Sequence, residues 1–244
     1  MSSSRSYEFT GEMLLVGGGA VLHRIRAVTD LPRQGVRAGD VGGWVESTDN
    51  LSGDAWVSGD ARVYGDAWVS GDALVSGDAR VYGNALVYGN ARVSGNALVS
   101  GNARVSGNAL VSGNAWVSGD ARVSGDARVY GNARVSGDAQ VSGNALVSGN
   151  ARVSGDAQVC VSQDVLTVGP IGSESVTATL FRTAAGHTLH VGCWGGHVDD
   201  LAAEVERRSA DWTADPEVAR RWRAEYTALE TLCSARIAGW AAIQ

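Results

Sequence analysis

The chain has 244 residues and a formal net charge of −6, and all 20 of its Lys and Arg positions are arginine. A net negative chain lacks the basic field that attracts nucleic acid, so we expect no nucleic-acid partner. Its three cysteines, Cys160, Cys193 and Cys233, are odd in number and widely spaced, which argues against a disulfide framework and for a reducing compartment. No stretch approaches the roughly 20 apolar residues of a membrane helix, and the first residues lack the apolar centre of a signal peptide. We therefore predict a soluble, cytoplasmic protein without membrane contact.

Residues 1–50 are predicted to form an N-terminal β cap. Two β-like runs, at 14–16 and 21–28, flank three consecutive glycines. The segment ends in Gly-Gly-Trp-Val at 42–45, and we expect Trp44 to cover the first coil of the domain that follows. A cover is needed because an uncovered strand edge invites aggregation.

A six-residue repeat then runs without a gap through residues 51–158, which make up eighteen hexads. Each hexad reads Leu/Val, Ser/Tyr, Gly, Asp/Asn, Ala and a variable residue. Strict period six excludes an amphipathic helix, whose apolar face recurs about every 3.6 residues. Val favours a pleated strand, and Gly followed by Asp or Asn favours a sharp bend. We therefore predict that each hexad is a short strand with a corner.

The first and fifth positions of the hexad are predicted to face inward, because they are always Leu or Val and always Ala. Three hexads per coil would give a triangular section and six coils, about 29 Å long at roughly 4.8 Å per coil. Each coil would pair its backbone only with its neighbours. The Asp/Asn positions would stack into three corner columns, which we interpret as turn formers with Asn ladders between coils. In one column Asp120, Asp138 and Asp156 would repel each other mildly unless a cation or Arg intervenes.

Residues 159–244 are predicted to form a small C-terminal ββαα module. Runs at 176–182 and 188–193 alternate apolar and polar residues around Ala185-Gly186, which is a hairpin signal. Two helical patterns follow at 198–209 and 216–235.

The repeat resembles the left-handed β-helix of hexapeptide-repeat proteins, in which an aliphatic residue is followed four places later by a small one, as in Val57 with Ala61 and Val63 with Ala67. This resemblance implies a mainly β fold, a single-stranded left-handed parallel β-helix of triangular coils between two caps. The leader resembles that of bacterial hexapeptide-repeat proteins often labelled acyltransferases, through LHRIRAVTD…GDVGGWVESTDNLSGDAWV. The last segment resembles the C-terminal module of uncharacterised phage and bacterial proteins, through TLFRTAAGHTLHVGCWGGHVDDLAAEV. That second resemblance implies a family and no activity.

Hexapeptide acyltransferases use a histidine near the coil surface as general base, and many extrude a loop from the coils to build the pocket. This repeat has neither a histidine nor an insertion, and the four histidines are His23, His187, His190 and His197. His187 and His190 would face opposite sides of one strand, which argues against zinc bound by them with Cys193. We predict no catalytic residue, no metal and no cofactor.

The variable position is where we expect a binding surface. Large side chains concentrate in the N-terminal coils, and exposed aromatic clusters often mark interfaces. The alternative is that a cap covers them. The three-hexad arrangement predicts Tyr64, Trp68, Tyr82 and Leu86 on one face, and Trp56, Leu74 and Tyr88 on a second.

Three functions fit these features. The first is a non-catalytic structural or interaction protein, a rigid solenoid that self-associates as a dimer or trimer or binds a protein partner. The second is an acyltransferase that keeps the fold. The third is a phage protein that binds and inhibits a host defence protein. We expect the first.

Overall fold

The computed structural model describes residues 5–241. The first four and last three residues, which belong to the two predicted flanking segments, lie outside the described part of the chain. The N-terminal segment forms β1 (Tyr7–Leu15), β2 (Val21–Ala27) and β3 (Val41–Val45), followed by a 3₁₀ turn at Thr48–Asn50. Strand β2 pairs antiparallel with both β1 and β3.

The repeat forms eighteen two-residue strands, each made of a variable residue and the Val that follows it. Every strand therefore spans the junction between two hexads. They are β4 (Trp56–Val57), β5 (Arg62–Val63), β6 (Trp68–Val69), β7 (Leu74–Val75), β8 (Arg80–Val81), β9 (Leu86–Val87), β10 (Arg92–Val93), β11 (Leu98–Val99), β12 (Arg104–Val105), β13 (Leu110–Val111), β14 (Trp116–Val117), β15 (Arg122–Val123), β16 (Arg128–Val129), β17 (Arg134–Val135), β18 (Gln140–Val141), β19 (Leu146–Val147), β20 (Arg152–Val153) and β21 (Gln158–Val159).

Strands three hexads apart pair in parallel, so the chain completes one coil every 18 residues, as shown by Val63 opposite Val81. The pairing builds three sheets, which we call I, II and III. Sheet I has the order β1-β2-β3-β5-β8-β11-β14-β17-β20, sheet II contains β4-β7-β10-β13-β16-β19, and sheet III contains β6-β9-β12-β15-β18-β21. The predicted mainly β fold with three hexads per coil and about six coils is confirmed. The left-handed winding, which came from the resemblance, stays a prediction.

Glycine makes each corner of the coil, and Gly107 shows why. Its φ is +68°, in the left-handed region that favours glycine. A Cβ added there would lie 3.0 Å from the backbone N and O of Gly125 in the next coil. The adjacent backbone N–H of Asn108 donates to the Gly125 carbonyl at 2.8 Å. Backbone conformation and close stacking therefore both require glycine.

Stacked Val and Ala fill the interior of the solenoid. The residues at positions one and five of the hexads, from Leu51 to Ala157, are at most 3% exposed. Both predicted inward positions are thus confirmed. The same core continues into the flanking segments, through Tyr7 and Ile25 at one end and Phe181 at the other.

The first coil is covered by β2 and not by Trp44. Strand β3 pairs parallel with β5, which places Trp44 opposite Arg62 in the outward, variable position. The Arg24 guanidinium lies 5.0 Å from the centroid of the half-buried Trp44 ring. Ile25 of β2 reaches the core instead and is fully buried. The parallel ladder therefore begins inside the segment that was predicted to be the N-terminal cap.

The C-terminal segment is a four-stranded antiparallel sheet with two helices. The ladder ends at a 3₁₀ turn, Ser162–Asp164, and a second such turn, Val198–Asp200, precedes α1. The elements are β22 (Val165–Ile171), β23 (Val176–Thr183), β24 (Gly186–Val191), β25 (Trp194–Gly196), α1 (Leu201–Ser209) and α2 (Pro216–Ala241), with sheet order β22-β23-β24-β25. The predicted hairpin corresponds to β23 and β24, and β22 and β25 extend it on either side. Among the described residues, no helix has the combined length and hydropathy of a membrane span.

Strand β23 docks this segment on the last coil. Thr183 forms an antiparallel bridge with Ala157. The Thr179 hydroxyl accepts a hydrogen bond from the Arg152 backbone N–H at 3.1 Å. The rest of the segment has its own core, in which Leu180, Leu189, Leu201, Tyr226, Leu229 and Cys233 are buried.

Candidate interaction surface

Three of the predicted surface residues lie together on sheet III. Trp68 and Leu86 stand side by side on β6 and β9. Tyr88 follows directly after β9. Trp68 is 46% exposed and Tyr88 is 41% exposed, while Leu86 is half-buried between coils. We call Trp68, Leu86 and Tyr88 the sheet III patch.

The patch points outward because side chains alternate along a strand. Val69 and Val87, next to Trp68 and Leu86, are fully buried in the core. The Trp68 indole is also held in place, since its Nε1 donates to the Ser52 hydroxyl at 2.8 Å. A tryptophan fixed on a hydrogen-bonded backbone loses little conformational freedom when a partner covers it.

Tyr64 and Tyr82 lie on sheet I and not on the face of Trp68, so their predicted placement is wrong. Tyr64 comes before the Gly-Asp corner of its hexad and continues the ladder of β5, where its N–H donates to the Val81 carbonyl at 3.1 Å. The two rings stack with centroids 5.1 Å apart and planes 6° apart. Burial, followed by the neighbouring Tyr82 phenol, raises the pKa of Tyr64.

Trp56, Leu74 and Tyr88 do not share a face as predicted. Trp56 is on sheet II but only 1% exposed, because the N-terminal segment covers it. A Cβ on Gly42 would lie 2.7 Å from the Trp56 indole, so that glycine is needed for the cover. Leu74, also on sheet II, is half-buried and packs against the core. Tyr88 belongs to sheet III. For Trp56 the alternative of a covering cap is the correct one.

The prediction missed Trp116, which is 39% exposed on sheet I. Its Nε1 donates to the Ser100 hydroxyl at 3.4 Å, and the Arg134 guanidinium lies 5.6 Å from the ring centroid. Trp116 occupies the same hexad position as Trp68, and that position was the available signal. It was passed over because the neighbouring outward side chains lack aromatic rings.

A further aromatic cluster joins the two helices. Trp212 meets Trp222 edge-on with centroids 5.4 Å apart and lies 6.3 Å from Tyr226. The Arg223 guanidinium lies 5.6 Å from the Trp212 centroid. Tyr226 is buried, and both tryptophans are half-buried. These rings therefore hold the helix pair together.

The C-terminal histidines have separate partners. His187 Nε2 accepts a hydrogen bond from the Val198 N–H at 3.1 Å, and its ring meets that of His197 with centroids 4.9 Å apart. Burial, followed by the His197 charge, lowers the pKa of His187. His190 Nε2 lies 3.5 Å from the Ser154 hydroxyl of the last coil. Within the described part of the chain, no three His, Cys, Asp or Glu side chains come together as metal ligands would.

Parallel coils of hexads with an exposed aromatic patch define the chain as a β-solenoid repeat protein. Its repeat matches the family model described as the YdcK beta solenoid repeat. The matched segments are residues 55–71, 79–95, 91–105, 103–119, 121–137, 127–143, 139–150 and 147–160. Together they span less than half of the chain, so the similarity concerns the solenoid alone. No curated protein shows significant similarity to the sequence.

Proposed function

We propose that this β-solenoid is a non-catalytic structural and interaction protein, a rigid rod that associates with a second copy of itself through the sheet III patch. The observation that carries the proposal is the pair of exposed rings, Trp68 and Tyr88, on one sheet next to Leu86. Trp and Tyr are enriched among the residues that dominate binding energy at interfaces.

The solenoid backbone supports such a role because it is already ordered before association. Trp68 N–H donates to the Ala85 carbonyl at 2.9 Å, and Tyr88 N–H donates to the Val105 carbonyl at 3.0 Å. A preorganised surface avoids the entropy cost of ordering a loop on binding. The flat strand face also lets two rods lie side by side. Acyltransferase activity and inhibition of a host protein stay predictions.

The test measures mass in solution by light scattering over a range of chain concentrations. We expect the wild-type chain to form an oligomer that dissociates on dilution. Trp68→Ala should weaken this association by about tenfold or more, because truncating a central tryptophan commonly costs at least ~1.4 kcal/mol. Trp116→Ala should leave it unchanged.

Trp116→Ala is the matched control, because both tryptophans have the same hexad position, similar exposure and an indole hydrogen bond to a serine. Circular dichroism verifies that both variants keep the fold. A wild-type chain that stays monomeric at every concentration refutes self-association. Equal weakening by both substitutions refutes the choice of sheet III.

A further inference from the structure

The corner asparagines form hydrogen-bonded ladders along the rod, and one ladder ends in a cleft. Asn96 Nδ2 donates to Asn114 Oδ1 at 3.1 Å, Asn114 Nδ2 donates to Asn132 Oδ1 at 3.1 Å, and Asn132 Nδ2 donates to Asn150 Oδ1 at 3.0 Å. All these amides donate toward the C-terminal end of the rod. Because hydrogen bonds in such a chain polarise one another, the N–H groups of the last amide become stronger donors.

The other two ladders end differently, because a carboxylate accepts their last N–H. It neutralises the donor end of each ladder at 2.9 or 3.0 Å. These ladders run through Asn84, Asn102 and Asp120, and through Asn90, Asn108 and Asp126. In the third ladder, among the described residues, no atom accepts a hydrogen bond from Asn150 Nδ2.

Two arginines stand beside this ladder end. Arg134 and Arg152 lie directly opposite each other on β17 and β20, where like charges repel. Within residues 5–241, neither is in an ion pair. Arg152 Nη1 donates to the Gly192 carbonyl at 3.3 Å. Both arginines, Asn132, Asn150 and Thr177 line a cleft of about 220 Å³ between sheet I and β23.

The carboxylate nearest to this cleft is already paired. Glu174 reaches Gly192, where an added Cβ would lie 3.0 Å from Glu174 Oε2. Its Oε1 forms an ion pair with Arg208 at 3.0 Å. The cleft therefore combines two guanidinium groups with a polarised amide, and its neighbouring acid is engaged elsewhere.

The same sheet carries a second pair of facing arginines, Arg62 and Arg80. There the corner residues two positions earlier are Asp60 and Asp78, where the cleft has asparagine. Carboxylates thus accompany the first pair, and amides accompany the pair in the cleft.

We propose that this cleft binds an oxyanion, a phosphate or carboxylate group held by Arg134, Arg152 and the amide N–H of Asn150. Guanidinium groups bind both kinds of oxyanion through paired N–H donors. A bound anion between the two guanidinium groups would also remove their mutual repulsion.

The test is calorimetric titration of the full chain at low ionic strength, first with inorganic phosphate and then with acetate. We expect saturable binding of one anion per chain, and the tighter of the two anions identifies the group. Asn150→Asp should weaken binding about tenfold or more, since it puts a carboxylate at the end of the ladder. The Asn132 amide can still donate to the introduced carboxylate, so the corner is kept.

Two double variants complete the test and serve as each other's comparison. Arg134→Gln with Arg152→Gln should abolish binding, and this variant decides the question if Asn150→Asp does not fold. Arg62→Gln with Arg80→Gln removes the same charge from the same sheet and should change affinity less than about twofold. The proposal is wrong if neither anion binds saturably, or if both double variants weaken binding equally.

Discussion

The corner glycines offer a direct measure of how tightly the coils stack. We consider Gly107→Ala in the middle of the solenoid and Gly155→Ala in its last coil. The φ angles of these glycines are +68° and +63°, so both substitutions force alanine into the left-handed region. A Cβ at Gly107 would meet the Gly125 backbone at 3.0 Å, whereas a Cβ at Gly155 would have no atom within 4 Å.

The two costs can be separated. Placing an L-residue in the left-handed region costs about 1–2 kcal/mol, and this applies at both sites. At Gly107 the coils must also move apart, which weakens the hydrogen bond from Asn108 N–H to the Gly125 carbonyl, now 2.8 Å long. A weakened backbone hydrogen bond adds about 1 kcal/mol. We expect a loss of about 1–2 kcal/mol for Gly155→Ala and about 2–3 kcal/mol for Gly107→Ala.

Urea unfolding followed by circular dichroism gives the free energy of unfolding of each variant. Hydrogen exchange read by mass spectrometry then locates the loss, because stacked repeats can open locally. Gly107→Ala should speed exchange in its own coil and in the next coil. Equal losses for the two variants, or no loss for Gly107→Ala, would refute the argument from close stacking.

Two further changes test the junction between the solenoid and the C-terminal segment. Burial, followed by the charge of Arg152, lowers the pKa of His190, so the unfolded chain binds the proton more readily than the folded one. Stability should therefore fall as pH drops below about 6.5, the ordinary pKa of histidine, and thermal unfolding of His190→Gln should show a flatter dependence. Asp164 is buried and accepts the backbone N–H groups of Cys160 and Val161 at 2.8 and 3.0 Å. Asp164→Ala should cost about 2 kcal/mol in urea unfolding because it leaves buried donors without an acceptor, and a loss below about 0.5 kcal/mol would contradict this.

The period of the sequence was enough to predict the solenoid but not to assign its outer faces. Each hexad position has one role, so Val and Ala at fixed spacing predict the core and the three-hexad coil directly. The corner, however, falls inside the hexad, at Gly and Asp. Tyr64 and Trp68 belong to one hexad and yet lie on different sheets, because Gly65 and Asp66 turn the chain between them.

Contacts between distant segments account for the other differences. Trp56 is buried because Gly42 and the strand before it lie against the indole, and nothing within the repeat indicates that cover. The extra strand β22 contains Pro170, which reads as a strand breaker. It is accommodated because β22 is the edge of its sheet, where a missing N–H donor costs little.

The closure of a coil after three hexads also links chain length to direction. Each hexad carries the backbone through about one third of a revolution, so the number of hexads sets the angle at which the C-terminal sheet faces relative to β1 and β2. Losing or gaining a single hexad would swing that sheet around the long axis, whereas a change of 18 residues, the pairing shift between coils, would preserve the angle. Repeat number in this protein is therefore an angular setting as well as a length.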